Sequence, residues 1–120
     1  MSFYVNNIPV LGLATQSSSG RGVGFDVGEY YEALLVVHVT GLGGTGGRIT
    51  PRWEMSPNGS IGTSAGNYFT VRAFATAIKA TGISAMTLLA FGRWGRPAWT
   101  MGGTGGAAKV QMWFVGRGSI

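Results

Sequence analysis

Few residues in this chain have the types and spacing that chemistry requires. His38 is the sole histidine, and Asp26, Glu29, Glu32 and Glu54 are all of the carboxylates. A histidine working as a base or metal ligand needs a carboxylate or a second ligand held beside it. His38 instead sits inside Val36-Val37-His38-Val39-Thr40 with no such residue at ligand spacing, and reads as a strand residue. Asp26, Glu29 and Glu32 form the one acidic cluster. A paired-carboxylate hydrolase needs two acids facing each other across a cleft, whereas this spacing suits a solvated turn ahead of a strand. No cysteine is present, which excludes disulfides and thiolate metal sites. No catalytic residue, metal ligand or cofactor site is assigned.

Glycine offers the next candidate chemistry. Gly43-Gly44-Thr45-Gly46-Gly47 recurs as Gly102-Gly103-Thr104-Gly105-Gly106. A phosphate-cradling loop needs a helix after it, whose first N–H groups and dipole face the anion, and commonly a Lys-Ser or Lys-Thr pair. Both stretches precede strand-like sequence and neither carries that pair. They are therefore expected to be hairpin connections, where glycine supplies positive φ at no steric cost. On this reading one strand-loop-strand unit occurs twice, VVHVTG to RITPRWEM and PAWTMG to KVQMWFV.

The basic residues Arg48, Arg52, Arg72, Arg93, Arg96, Lys109 and Arg117, interleaved with Tyr68, Trp94 and Trp113, permit three readings. They could stack and neutralise single-stranded nucleic acid, form an ordinary polar face, or anchor a protein interface, where Arg, Trp and Tyr are enriched. Composition favours the interface. Charged residues are only 11% of the 120, against 45% hydrophobic, so much of the surface must be neutral, as suits a chain partly covered by a partner. The net charge of +5 attracts anionic surfaces without choosing among them. No apolar run approaches the roughly 20 residues of a membrane helix, and the start, Met1-Ser2-Phe3-Tyr4, lacks the positive charge of a secretory signal. Synthesis and assembly in a cytoplasm are expected, with no membrane partner.

The elements that would position these residues are strands. Many glycines, Val, Thr and aromatics, with no clean helical period, predict an all-β domain over residues 25–120, a single antiparallel β-sandwich of jelly-roll type. Residues 1–24 are expected to be an arm or an edge strand; deleting residues 1–19 should leave the sandwich folded. Residues 33–40 form a nearly continuous apolar run, expected to be a central strand buried on both faces. Ile49, Pro51, Trp53 and Met55 alternate with polar residues, as in a half-buried strand, and Pro51 argues for an edge or bulge. Residues 69–74, 86–91, 97–101 and 109–115 complete the strands, and residues 75–80 are the one candidate helical turn. The expected core is Leu34, Val36, Val39, Ile49, Val71, Leu88, Val110 and Met112, so Val36→Asp should prevent folding.

The succession EALLVVHVTG, a glycine turn, a strand ending in MSPNG, AFATAIKATG, GRWGRPAWTMGGT and VQMWFVGRG resembles small jelly-roll virion proteins of tailed bacteriophages, over residues 23–118. Met55-Ser56-Pro57-Asn58-Gly59 resembles that family's strand-ending Ser-Pro-Asp-Gly turn. Arg93, Arg96, Trp99, Thr100 and Gly102-Gly103-Thr104 resemble its Gly-Arg-aromatic-x-Arg to Trp-Thr-x-Gly-Gly-Thr segment. The resemblance implies a non-enzymatic capsid decoration protein, located in the virion, that binds the major capsid protein and associates as a homo-trimer. The expected partner-binding residues are Phe3, Tyr4, Ile8 and Val10 of the arm, with Arg93, Trp94 and Arg96 of a glycine-flanked loop. A tail-associated virion protein and a carbohydrate-binding sandwich with Trp53, Trp94 or Trp113 as stacking platforms are the alternatives. Nucleic acid is the disfavoured partner.

Overall fold

The computed structural model describes residues 3–57, 67–88 and 93–119, with the side chains of residues 3 and 119 excepted. Within them the chain is all-β, without helix: β1 (Phe3–Gln16), β2 (Gly20–Arg21), β3 (Phe25–Asp26), β4 (Glu32–Ser56), β5 (Phe69–Ala73), β6 (Gly82–Leu88) and β7 (Trp94–Ser119). They form one antiparallel sheet ordered β1-β7-β4-β5, with β2 and β3 also on β7 and β6 also on β4.

The two repeated units are not separate hairpins. Each is a single long strand, and the two pair with each other along their length, from Glu32↔Arg117 through Val39↔Val110 and Thr45↔Thr104 to Ser56↔Trp94. A straight strand of 25 residues would span about 85 Å at 3.4 Å per residue, yet the longest dimension of the molecule is 49 Å. The β4/β7 ribbon is therefore doubled over, and it bends where the two GGTGG segments meet. Gly44, Gly46, Gly103 and Gly105 have φ of 79°, 66°, 93° and 61° there, and the register shifts between Gly43 and Thr45 and between Thr45 and Arg48. The corner is close to symmetric. A Cβ on Gly44 would come 2.4 Å from the Gly105 carbonyl oxygen, and one on Gly103 would come 2.5 Å from that of Gly46.

Doubling makes two half-sheets. One is β1-β7-β4-β6, using the C-terminal part of β7 and the N-terminal part of β4. The other uses the remaining parts of β4 and β7, flanked by β5 on one side and by β2 and β3 on the other. Their inner faces pack as in a sandwich: the Trp53 ring of the second half stacks on Phe114 of the first, centroids 5.1 Å apart. Phe25 meets both rings edge-on, and Tyr30 meets Phe114. Such aromatic packing adds to area burial. Leu35, Val37, Val39, Ile49, Met55, Leu88, Val110 and Met112 are also fully buried. The Trp53 indole N–H is buried and has no acceptor among the described residues, a cost the packing must offset.

Several expectations change. Of arm and edge strand, residues 3–16 take the second: β1 pairs with β7 from Phe3↔Ser119 to Gln16↔Ala108. The chain then crosses to the other half-sheet, where Ser18 accepts from the Trp99 indole and Ser19 from the Met101 N–H. With Tyr4, Ile8, Val10 and Leu11 packed against the core, this segment belongs to the sandwich. Pro51 lies in a central strand. Its carbonyl accepts from Phe74 just past the end of β5, so the missing N–H falls outside the ladder with β7. Residues 75–80 form no helical turn; Ile78 makes a bridge to Ile49. Asn58, Gly59 and the end of the strand expected at 86–91 lie outside the described residues.

The corner yields a graded test. Gly44→Ala and Gly103→Ala combine positive φ with a backbone clash, and should cost more than the roughly 1–2 kcal/mol of the left-handed conformation alone. Gly105→Ala, with positive φ but open space, should cost about 1 kcal/mol. Gly12→Ala, with neither, should be near neutral. Chemical denaturation of the four variants checks that order.

Candidate functional site

A two-faced sandwich follows from strand alternation. In β4, Ala33, Leu35, Val37 and Val39 point inward, so Leu34 and Val36 point out. This corrects the expected core: Val39, Ile49, Leu88, Val110 and Met112 are buried and Val71 is partly so, but Leu34 and Val36 face away from the core. The run is apolar enough to be buried on both faces, but the described residues bury only the odd-numbered one.

On that outer face the register lines up apolar side chains from four strands. One row is Pro9, Trp113, Val36 and Ala85; the next is Asn7, Val115, Leu34 and Thr87. Val5 stands beyond the second row beside Arg117, and Ile83 beyond the first beside His38. Ile83 is 71% exposed, Val5 58% and Leu34 36%. A depression of about 350 Å³ lies between Val5, Leu34, Val115 and the Glu32–Arg117 ion pair. Two rows about 6.8 Å apart on four strands about 4.8 Å apart give a footprint on the order of 260 Å², apolar except at Asn7 and Thr87. The largest apolar patch on a domain is often where it meets a partner.

The other half-sheet presents a cationic outer face. Glu54, whose side chain is 12% exposed, accepts from Arg96 Nε at 2.7 Å and Arg52 Nε at 3.1 Å. The Arg96 guanidinium lies 3.9 Å from the centre of the Tyr68 ring. Burial alone would raise the Glu54 pKa, but hydrogen bonds from Arg96 and Arg52 outweigh it and hold the carboxyl below the usual range. Arg48 and Lys79, both exposed, are the sequence neighbours of the Ile49–Ile78 bridge in this half of the molecule.

All four carboxylates are engaged. Besides Glu54, Glu32 accepts from Arg117 at 2.6 Å, Glu29 from the Tyr4 hydroxyl at 2.8 Å, and Asp26 from Arg93 at 3.0 Å. Asp26 is held below its usual pKa first by the Gly28 N–H and then by Arg93. His38 lies at the margin of the apolar face, opposite Gln111 and Ile83. Among the described residues no group of three His, Asp or Glu side chains could hold a metal.

The expected partner-binding residues scatter. Phe3 pairs through its backbone with Ser119, while Tyr4, Ile8 and Val10 lean on the core. Arg93 is exposed above Trp94, held by Asp26. Arg96 is 6% exposed and points into the Glu54 cluster, so it cannot be a surface anchor. Trp53, one of the expected sugar platforms, is fully buried; Trp94 and Trp113 are half-buried. The guanidinium groups of Arg52, Arg93, Arg96 and Arg117 are spent on carboxylates, which weakens the nucleic-acid reading. Sequence reading missed Leu34, Val36, Ile83 and Val115 as surface residues. For Leu34 and Val36 the signal was the even-numbered series of residues 32–40, in which Glu32, His38 and Thr40 mark the outward side. Gly62-Thr63-Ser64-Ala65-Gly66 has the Gly-x-Ser-x-Gly pattern, which sequence reading also passed over. It lies outside the described residues.

Val37→Asp should prevent folding, since it buries an unpaired charge, while Val36→Asp should keep a cooperative melt within about 1 kcal/mol of the parent. Glu54, with its folded pKa depressed, stabilises the fold fully above the ordinary value of about 4.5, and that stability is lost as pH falls through the lowered folded value. Glu54→Gln should therefore be less stable near neutrality and show a flatter loss of stability below pH 4.5, measured by urea denaturation across pH. Glu54→Ala, which removes the carboxylate that faces buried Arg96, should cost about 3 kcal/mol or more.

No protein-family model matches this sequence, and no curated protein matches it.

Proposed function

We propose that this chain is a non-enzymatic structural subunit of a bacteriophage virion, a decoration protein that docks on the assembled capsid shell and strengthens it. The observation that carries the docking reading is the outward apolar face of β1-β7-β4-β6, left uncovered by the chain's own sheet. Exposing such a surface is unfavourable in water at roughly 25 cal/mol per Å², and a partner would remove that cost. The resemblance of the glycine, MSPNG and GRWGRPAWTMGGT segments to small phage virion proteins names the partner: the major capsid protein.

The chemistry agrees with that role. Carboxylates tied to arginine or tyrosine support a scaffold rather than acid–base turnover. A capsid lattice also multiplies modest contacts. Once neighbouring sites hold a trimer's other subunits, each further contact forms at high effective concentration, and modest affinity per subunit suffices.

Co-sedimentation of the purified protein with expanded, empty capsid shells tests the proposal. Saturable binding, with shells that resist heat or dilution better when decorated, is the expected result. Absence of shell binding, together with saturable and salt-sensitive oligonucleotide binding or capture on a glycan array, would overturn it.

A further inference from the structure

Resting on the decoration reading, we infer that the outward face of the β1-β7-β4-β6 half-sheet is the docking surface, and that its occupant is a protein surface with an apolar centre ringed by carboxylates, not a second copy of this chain.

The centre of the face is apolar by register: Trp113 and Val36 sit side by side in the middle, with Pro9 and Ala85 at the ends of their row. Around them stand polar groups able to seal a rim. Gln111 and His38 lie on one side and Asn7 and Thr87 on another. The arrangement has the anatomy of an interface, an aromatic-containing apolar core inside a polar margin.

Charge selects the occupant. The margin carries Arg117, Lys109 and, reaching round the β6 edge to the Thr87 carbonyl and hydroxyl, Arg72. Its one carboxylate, Glu32, is already held by Arg117 at 2.6 Å. Lys109 and Arg72 have no carboxylate partner among the described residues, and the chain's other acids are engaged away from this face. A second copy would bring the same unpaired cations against each other around the same apolar centre, where like charges are costly. A partner with carboxylates at its rim would complete these cations and steer the encounter. Arg72 also caps the Thr87 carbonyl on the free side of β6, occupying a group that strand-to-strand pairing between copies would use.

The test compares the wild-type protein with Val36→Asp, Lys109→Glu and, on the opposite face, Lys79→Glu, each first shown by its melt to be folded. Shell binding should fall at least about tenfold for Val36→Asp, a central position. It should fall about threefold for Lys109→Glu, chiefly in on-rate and less so in high salt, and stay within about twofold for Lys79→Glu. Wild-type protein that fails to bind shells sinks the decoration reading and this inference together. Shell binding that survives both Val36→Asp and Lys109→Glu sinks the inference alone. Sedimentation velocity without shells supplies the remaining outcome: self-association abolished by Val36→Asp would make a second copy the occupant, and binding of the wild type to anionic lipid vesicles that Val36→Asp abolishes would make it a membrane. Either result overturns the inference.

Discussion

Everything in this fold depends on bending one antiparallel ribbon sharply without breaking its ladder. β4 and β7 are paired from end to end, and a paired ribbon of ordinary residues resists a corner because both strands would have to leave allowed backbone conformations at the same place. Glycine removes that obstacle. Here the two strands carry the same five-residue glycine segment and set them opposite each other, with positive φ at Gly44 and Gly46 on one strand and at Gly103 and Gly105 on the other. The backbones approach so closely that side chains at Gly44 or Gly103 would strike the facing carbonyls. Once the corner is made, β4 and β7 each contribute to both layers, and the stacking of Trp53 on Phe114 holds the layers shut.

The same corner decides which residues face out. Each outward row is a consequence of pairing β4 with β7 in this register and adding β1 and β6 at the sides. The result is a molecule with unlike faces, apolar on one half-sheet and cationic on the other. Charge on the cationic side is organised inward, with Glu54 clasped by Arg52 and Arg96 and roofed by Tyr68. A buried cluster of that kind is weak evidence for net stability but strongly penalises loss of one partner. It fixes the cationic half as structure and leaves the apolar half as the surface free to act.

The strands and their antiparallel, all-β character were legible in the sequence, because alternation at 49–55 and 110–114 is unambiguous. The glycine repeat was legible as special backbone but not as to its purpose: a hairpin turn and a ribbon corner ask the same of glycine, and only long-range pairing tells them apart. The run at 33–39 was ambiguous for a related reason. Leu34 and Val36 are as apolar as Leu35 and Val37, so the middle of the run reads as buried throughout, and only Glu32, His38 and Thr40 mark the even-numbered side as the outer one; Leu35 pairs with Phe114 and Met86 on the inner side. Arg96 eluded sequence reading because its burial comes from Glu54 across the strand and Tyr68 far along the chain. Phe3, Tyr4, Ile8 and Val10 looked like a free arm since their spacing is irregular, and β1 does carry register shifts between Pro9 and Leu11 and between Leu11 and Ala14.

The doubled ribbon is the claim from which the two faces and the docking reading descend, and cross-strand proton contacts in solution NMR test it most directly. Close Hα or amide contacts between Leu35 and Phe114, and between Thr50 and Thr100, are predicted by the pairing of β4 with β7 on both sides of the corner. Contacts instead joining residues 33–40 to 48–55, and 97–101 to 109–115, would show two local hairpins and contradict the account.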